Sequence, residues 1–101
     1  MSDNLSTKGS NEMGVIDFVD DTLEAIENNV CFLAIMPNDN GYDIEVEVNA
    51  GTIGGNYATN TNSLPKARKI ADEIEREFLK HGVKVITGRH EWEEFLQGKV
   101  R

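Results

Sequence analysis

The sequence predicts an α+β fold: a two-layer sandwich in the order α-β-β-β-α-β-α, with a mostly antiparallel sheet and its helices on one face. Three observations carry this. Residues 63–80 form a capped run with apolar residues at three- and four-residue steps, and a glycine follows at position 82. Residues 42–49 alternate apolar and polar without interruption. Residues 30–36 are apolar throughout, and turn-forming residues join them to that alternating stretch.

Residues 1–13 are rich in Ser and Asn and poor in large apolar side chains, which predicts a flexible N-terminal tail. Residues 14–101 are then one α+β domain, since 101 residues leave room for one core and not two.

Val15 to Asn28 reads as the first helix. Ile16, Val19, Leu23 and Ile26 recur at helical spacing with Val15 alongside, while Asp17, Asp20, Asp21, Glu24 and Glu27 take the polar positions. Phe18 falls off this stripe and is expected as a lid at the core edge. Val30 to Met36 is apolar on both alternating sets, as in a strand covered on both faces. Its shortness and the Pro37-Asn38-Asp39-Asn40-Gly41 stop favour a strand over a buried helix. Tyr42, Ile44, Val46 and Val48 face one way on the next strand, and Asp43, Glu45 and Glu47 face the other. The two strands form a hairpin.

Residues 50–62 are the least legible part. Gly51, Gly54 and Gly55 suggest a turn or bulge, and Asn56 to Thr61 a short third strand. Then comes the best-defined element. Ser63 is an N-cap, Pro65 fits the first turn, and Ala67, Ile70, Ala71, Ile74 and Phe78 form the apolar stripe, widened by Leu64 and Leu79. Asp72 and Arg76 are spaced for an i,i+4 ion pair. Gly82 can take the positive φ that closes the last turn. Val83 to Thr87 reads as a fourth strand, parallel to its neighbour. Trp92, Phe95 and Leu96 mark a short last helix expected to cover a sheet edge or the end of the core.

The charge is uneven. Residues 1–62 carry eleven Asp and Glu against one Lys, net −10; residues 63–101 carry nine Lys and Arg against seven Asp and Glu, net +2; the whole chain is at −8. Such a chain is a poor ligand for phosphate backbones or anionic lipid as a whole. The two halves either neutralise each other within one fold or leave an acidic face for a basic partner. Cys31 is the single cysteine and sits in an apolar run, so it reads as a buried thiol in a reducing compartment. No apolar run approaches 18 residues, and the first residues lack the basic-then-apolar order of a secretion signal. The expected location is cytoplasmic, away from membranes.

The candidate partner-binding residues are Asp17, Asp20, Asp21 and Glu24 on the first helix and Asp43, Glu45 and Glu47 on the second strand. The three strand carboxylates sit about 7 Å apart along one face. A single strand brings no concavity or cation, so a solvated face or a basic-protein contact is a better reading than a metal or acid/base site. Glu91, Glu93 and Glu94 extend the patch if the fold brings them near. The glycines at 51–55 are not followed by the Lys-Ser/Thr of a phosphate cradle. His81, His90 and Cys31 do not have a metal-ligand spacing, and no serine has an evident His/Asp set. No enzyme, cofactor or metal is expected.

Lys66, Arg68 and Lys69 open the main helix against its dipole, so they either pair with the acidic half or serve an anionic partner. The α-β-β-β-α order with Lys66-Ala67-Arg68-Lys69-Ile70-Ala71 opening the helix resembles a double-stranded RNA-binding domain over residues 42–80. In that family, lysines at this place contact phosphates, which here implies Lys66, Arg68 and Lys69; Tyr57 completes the alternative nucleic-acid-binding set. The family's basic loop before the helix is Asn- and Thr-rich here. The size and charge are also similar to those of small phage-encoded inhibitors of host defence, of the anti-CRISPR or anti-restriction kind. The leading expectation is therefore a viral-type acidic nucleic-acid mimic, monomeric or a small homo-oligomer, that blocks the nucleic-acid-binding surface of a basic protein.

Overall fold

The computed structural model describes residues 14–49 and 52–98; the expected tail at 1–13 and Gly51 lie outside them. Seven elements follow in the predicted order: α1 (Val15–Leu23), β1 (Val30–Asn38), β2 (Gly41–Asn49), β3 (Thr52–Ala58), α2 (Leu64–Lys80), β4 (Lys84–Ile86) and α3 (Arg89–Gly98). The sheet order is β3-β2-β1-β4. β1–β2 and β2–β3 are antiparallel, and β4 runs parallel to β1.

α2 has the ends its sequence predicts. The Ser63 hydroxyl accepts from the Lys66 amide at 3.4 Å, and Pro65 lies in the first turn. At the other end Gly82 takes φ 79°, the Val83 amide donates to Phe78 O and the Gly82 amide donates to Leu79 O, each at 3.0 Å. That pair of bonds satisfies carbonyls the helix leaves open. Ala67, Ala71, Ile74 and Phe78 are buried, whereas Leu79 is 53% exposed and does not widen the stripe. The ion pair formed on this helix is Glu77–Lys80 at 3.0 Å; Asp72 and Arg76 do not pair.

α1 stops at Leu23, five residues before the expected end. The Ala25 and Ile26 amides donate to the carbonyls three residues back, tightening the last turn. Its buried side is also rotated. Phe18, Val19 and Thr22 are buried, while Ile16 is 59% exposed. The reason lies in β3. A Cβ at Gly55 would come within 2.8 Å of Phe18 Cε1 and 2.6 Å of Thr22 Oγ1. The bare backbone there lets α1 approach, and the largest side chain of the helix turns into the space. Phe18 is thus core rather than lid, and it meets Tyr57 edge-on at 5.3 Å.

β3 covers residues 52–58 rather than 56–61. Asn60, at φ 57°, turns the chain, and Thr59 Oγ1 donates to Tyr42 O at 2.7 Å, so Thr59 and Thr61 serve the turn into α2. The register of β3 on β2 shifts on either side of Glu47, which is the bulge the glycines suggested. At the hairpin, Asn38 pairs with Gly41 across Asp39-Asn40, and Asn38 Oδ1 accepts from the Asn40 amide at 2.7 Å. A Cβ on Gly41 would run into Thr61 O.

Two apolar clusters fill the two sides of the sheet. Cys31, Leu33, Ile44, Val46 and Val48 pack with Phe18, Val19, Ile74 and Phe78 under α1 and α2. Val30, Phe32 and Ile86 pack with Trp92 of α3 on the opposite side. The helices-on-one-face arrangement therefore describes α1 and α2, and α3 adds a partial cover to the second face. The apolar residues on both sides of β1 are the reason.

Candidate protein-binding surfaces

The α1 surface is built by amphipathicity. With Phe18, Val19 and Thr22 committed to the core, Asp17, Asp20, Asp21 and Glu24 are all exposed. Asp20 Oδ1 lies 3.9 Å from His81 Nε2 at the end of α2. Asp17, Asp21 and Glu24 have no ion-pair partner among the described residues. Lys66, Arg68 and Lys69 are exposed and make no ion pair either among the described residues, so the described acids of the first half are not neutralised by direct contact with the start of α2. The exposed Ile16 sits one turn before Asp20 and gives the acidic ridge an apolar residue at its N-terminal edge.

The β2 carboxylates are elsewhere. Asp43, Glu45 and Glu47 pair across the sheet with Met36, Ala34 and Phe32 of β1. That is the face away from α1 and α2. Glu47 is only 8% exposed, and its Oε1 accepts from Arg89 Nη1 at 3.2 Å. Arg89 also lies over the Phe32 ring, 4.5 Å from its centroid. Glu47 is thus a structural anchor for α3 and leaves the set of candidate partner-binding residues. Asp43 and Glu45 remain half-buried, flanked by Ala58 and Asn56 of β3. Glu91, Glu93 and Glu94 are exposed on α3, with Glu94 3.1 Å from His90.

The six acidic residues that remain therefore make two surfaces on opposite sides of the sheet. Strand alternation decides this. Helices must cover the side bearing Ile44, Val46 and Val48, so an acidic outer side of α1 and an acidic side of β2 point apart. That consequence was already contained in the alternation of residues 42–49.

The alternative basic set also divides. Lys66, Arg68 and Lys69 stand together on the first two turns of α2, but Tyr57 is half-buried on the helix-covered side of the sheet against Phe18. It is not available beside them.

Two features were not anticipated. Phe32, Trp92 and Phe95 stack in series at 5.8 and 5.4 Å on the second face. A groove of about 740 Å³ runs along Phe32–Met36 between α2 and the start of α3. The signal for both was the doubly apolar β1 next to a fourth strand too short to pair with all of it. Cys31 is fully buried, and its thiol is pushed up to about 12, first by burial and then by the nearby Glu75 carboxylate. No three His, Cys, Asp or Glu side chains converge as a metal requires among the described residues, and no helix among them is long and apolar enough to cross a membrane.

Compared with known proteins, the chain matches no family model, no curated protein and no solved structure.

Proposed function

We propose that this protein is a small acidic binding module, acting in the cytoplasm, that engages a basic protein through the α1 ridge. The supporting observation is that Asp17, Asp21 and Glu24 are exposed along one short helix and its C-cap with no ion-pair partner among the described residues. Carboxylates without ion-pair partners among the described residues, beside an exposed Ile16, suit a partner surface that presents Lys and Arg next to an apolar spot. A surface used by its owner to hold nucleic acid has that character, so the module works as an inhibitor of the phage-encoded kind and not as a catalyst. The test is affinity purification from the native host, followed by binding measurements on Asp17→Lys/Asp21→Lys. The expected partner is basic, its affinity falls with salt, and the α1 reversal abolishes binding while Asp43→Lys/Glu45→Lys does not. A partner that is acidic, or one indifferent to salt and to the α1 reversal, removes this reading.

A second reading is a nucleic-acid-binding module. It draws on the exposed Lys66, Arg68 and Lys69, which have no ion-pair partner among the described residues, and on the placement of α1 and α2 together over an antiparallel three-stranded sheet. A mobility-shift assay at low salt with duplex RNA, duplex DNA and single strands decides it. No shift with any of them rules it out.

A further inference from the structure

We propose that the outer edge of β1, beyond the end of β4, is a docking slot for an extended basic segment of a partner protein. This rests on the reading of the chain as a binder of basic proteins, and it uses a surface to which the α1 carboxylates do not contribute.

The slot follows from a mismatch in strand length. β1 runs from Val30 to Asn38, but β4 pairs with it only from Val30 to Phe32. The Lys84 amide donates to Asn29 O at 2.8 Å. Backbone groups alternate sides along a strand, so those of Asn29, Cys31, Leu33, Ile35 and Pro37 all point to the β4 side. Past β4 this leaves the carbonyls of Leu33, Ile35 and Pro37 and the Ile35 amide without a backbone partner among the described residues. After Ile86 the chain turns away through Thr87 into α3, leaving the groove of about 740 Å³ where a longer β4 would lie. An incoming antiparallel strand whose residue sits opposite Ile35 exchanges two hydrogen bonds there. Its amides two residues to either side donate to the Leu33 and Pro37 carbonyls, making four in all.

A second copy of the chain is a poor occupant. Pairing β1 with itself about Ile35 keeps only the two central bonds. The outer pair would need an amide from Pro37, which has none, and the Leu33 amide, which points at the end of β4. A strand without proline at those positions suffers neither loss.

The walls select the charge of the guest. A guest residue opposite Ile35 turns its side chain to the same face as Ile35, the side on which α2 lies. On that side α2 presents Asp72 and Glu75, neither with an ion-pair partner among the described residues, against the single Arg68. The cation of the opposite wall, Arg89, is already held by Glu47. Guest residues on the other face lie beside Ala34 and the exposed Met36. Lysine or arginine alternating with apolar residues fits both sides.

The test uses the full chain and a capped seven-residue peptide alternating lysine and valine, with amide hydrogen exchange followed by NMR. The Ile35 amide should exchange freely in the unbound protein and slow at least tenfold with saturating peptide. A peptide alternating glutamate and valine should bind at least tenfold more weakly, as should the lysine peptide N-methylated along its backbone. Asp72→Lys/Glu75→Lys should lower affinity for the lysine peptide at least tenfold without changing the melting temperature. The wild-type peptide series stands alone if that variant does not fold. An Ile35 amide already protected without peptide, no slowing with peptide, or equal binding of the glutamate peptide would overturn the proposal. Loss of host-partner binding on α1 reversal leaves it intact, so the two readings fail separately.

Discussion

Arg89 Nη1 donates to Glu47 Oε1 at 3.2 Å across 42 residues of chain, fixing the first turn of α3 to the second face of β2. Glu47 is nearly buried, so its partner matters more than in a surface pair; Arg89 is half exposed, which limits the effect. Arg89→Ala should destabilise by about 1–2 kcal/mol, while Glu47→Gln, which keeps an acceptor, should cost less. Chemical denaturation of both single variants and of the double variant measures the coupling. A double variant whose loss equals the sum of the singles would show that the contact contributes nothing of its own.

Close approach of α1 to β3 depends on a missing side chain. Gly55→Ala should destabilise by about 1–3 kcal/mol, because the added methyl meets Thr22 Oγ1 and Phe18 Cε1, both on buried side chains. Removing one obstacle should recover part of that. In a Thr22→Ala background the glycine substitution should cost at least about 0.5 kcal/mol less. Urea unfolding of the four-member cycle reads this directly.

Gly82 presents the opposite case. Nothing lies within 4 Å of a Cβ placed there, so space is not at issue. Its φ of 79° is. Gly82→Ala should therefore lose about 1–2 kcal/mol through backbone strain alone, and Gly82→Asn less, since Asn enters this region more readily. Thermal melts of the two variants rank them, and equal melting temperatures for alanine and asparagine would contradict the assignment to strain.

Burial of Cys31 makes stability depend on alkaline pH. In the folded chain the thiol is held protonated up to about 12, against 9.0 when unperturbed. Between those values the unfolded chain has lost a proton that the folded chain keeps, so stability falls as pH rises. Its contribution is fully present below pH 9, and the slope approaches about 1.4 kcal/mol per pH unit within the window. Cys31→Ala should lack this component, so the wild-type and variant stability curves should converge or cross as pH rises. The native thiol should also resist iodoacetamide at pH 8 and react once urea unfolds the chain. Rapid alkylation of the folded protein would place Cys31 outside the core.

The order of the elements, the caps of α2 and the alternation of β2 depend on interactions within a few residues, and all of these are readable in the chain. Ser63 caps a residue three positions on, and Gly82 closes a turn begun at Phe78. The face of β2 that meets the helices follows from a period of two. What the sequence by itself settled was thus local conformation and the sidedness of each element. The rotation of α1 was not legible, because it depends on bare glycines in β3 that lie more than thirty positions away. Nor was the capture of Glu47 by Arg89, which comes from how the elements stack. Tertiary structure decided those because a side chain's partner is set by whichever distant element packs closest, and neither charge nor periodicity records that distance.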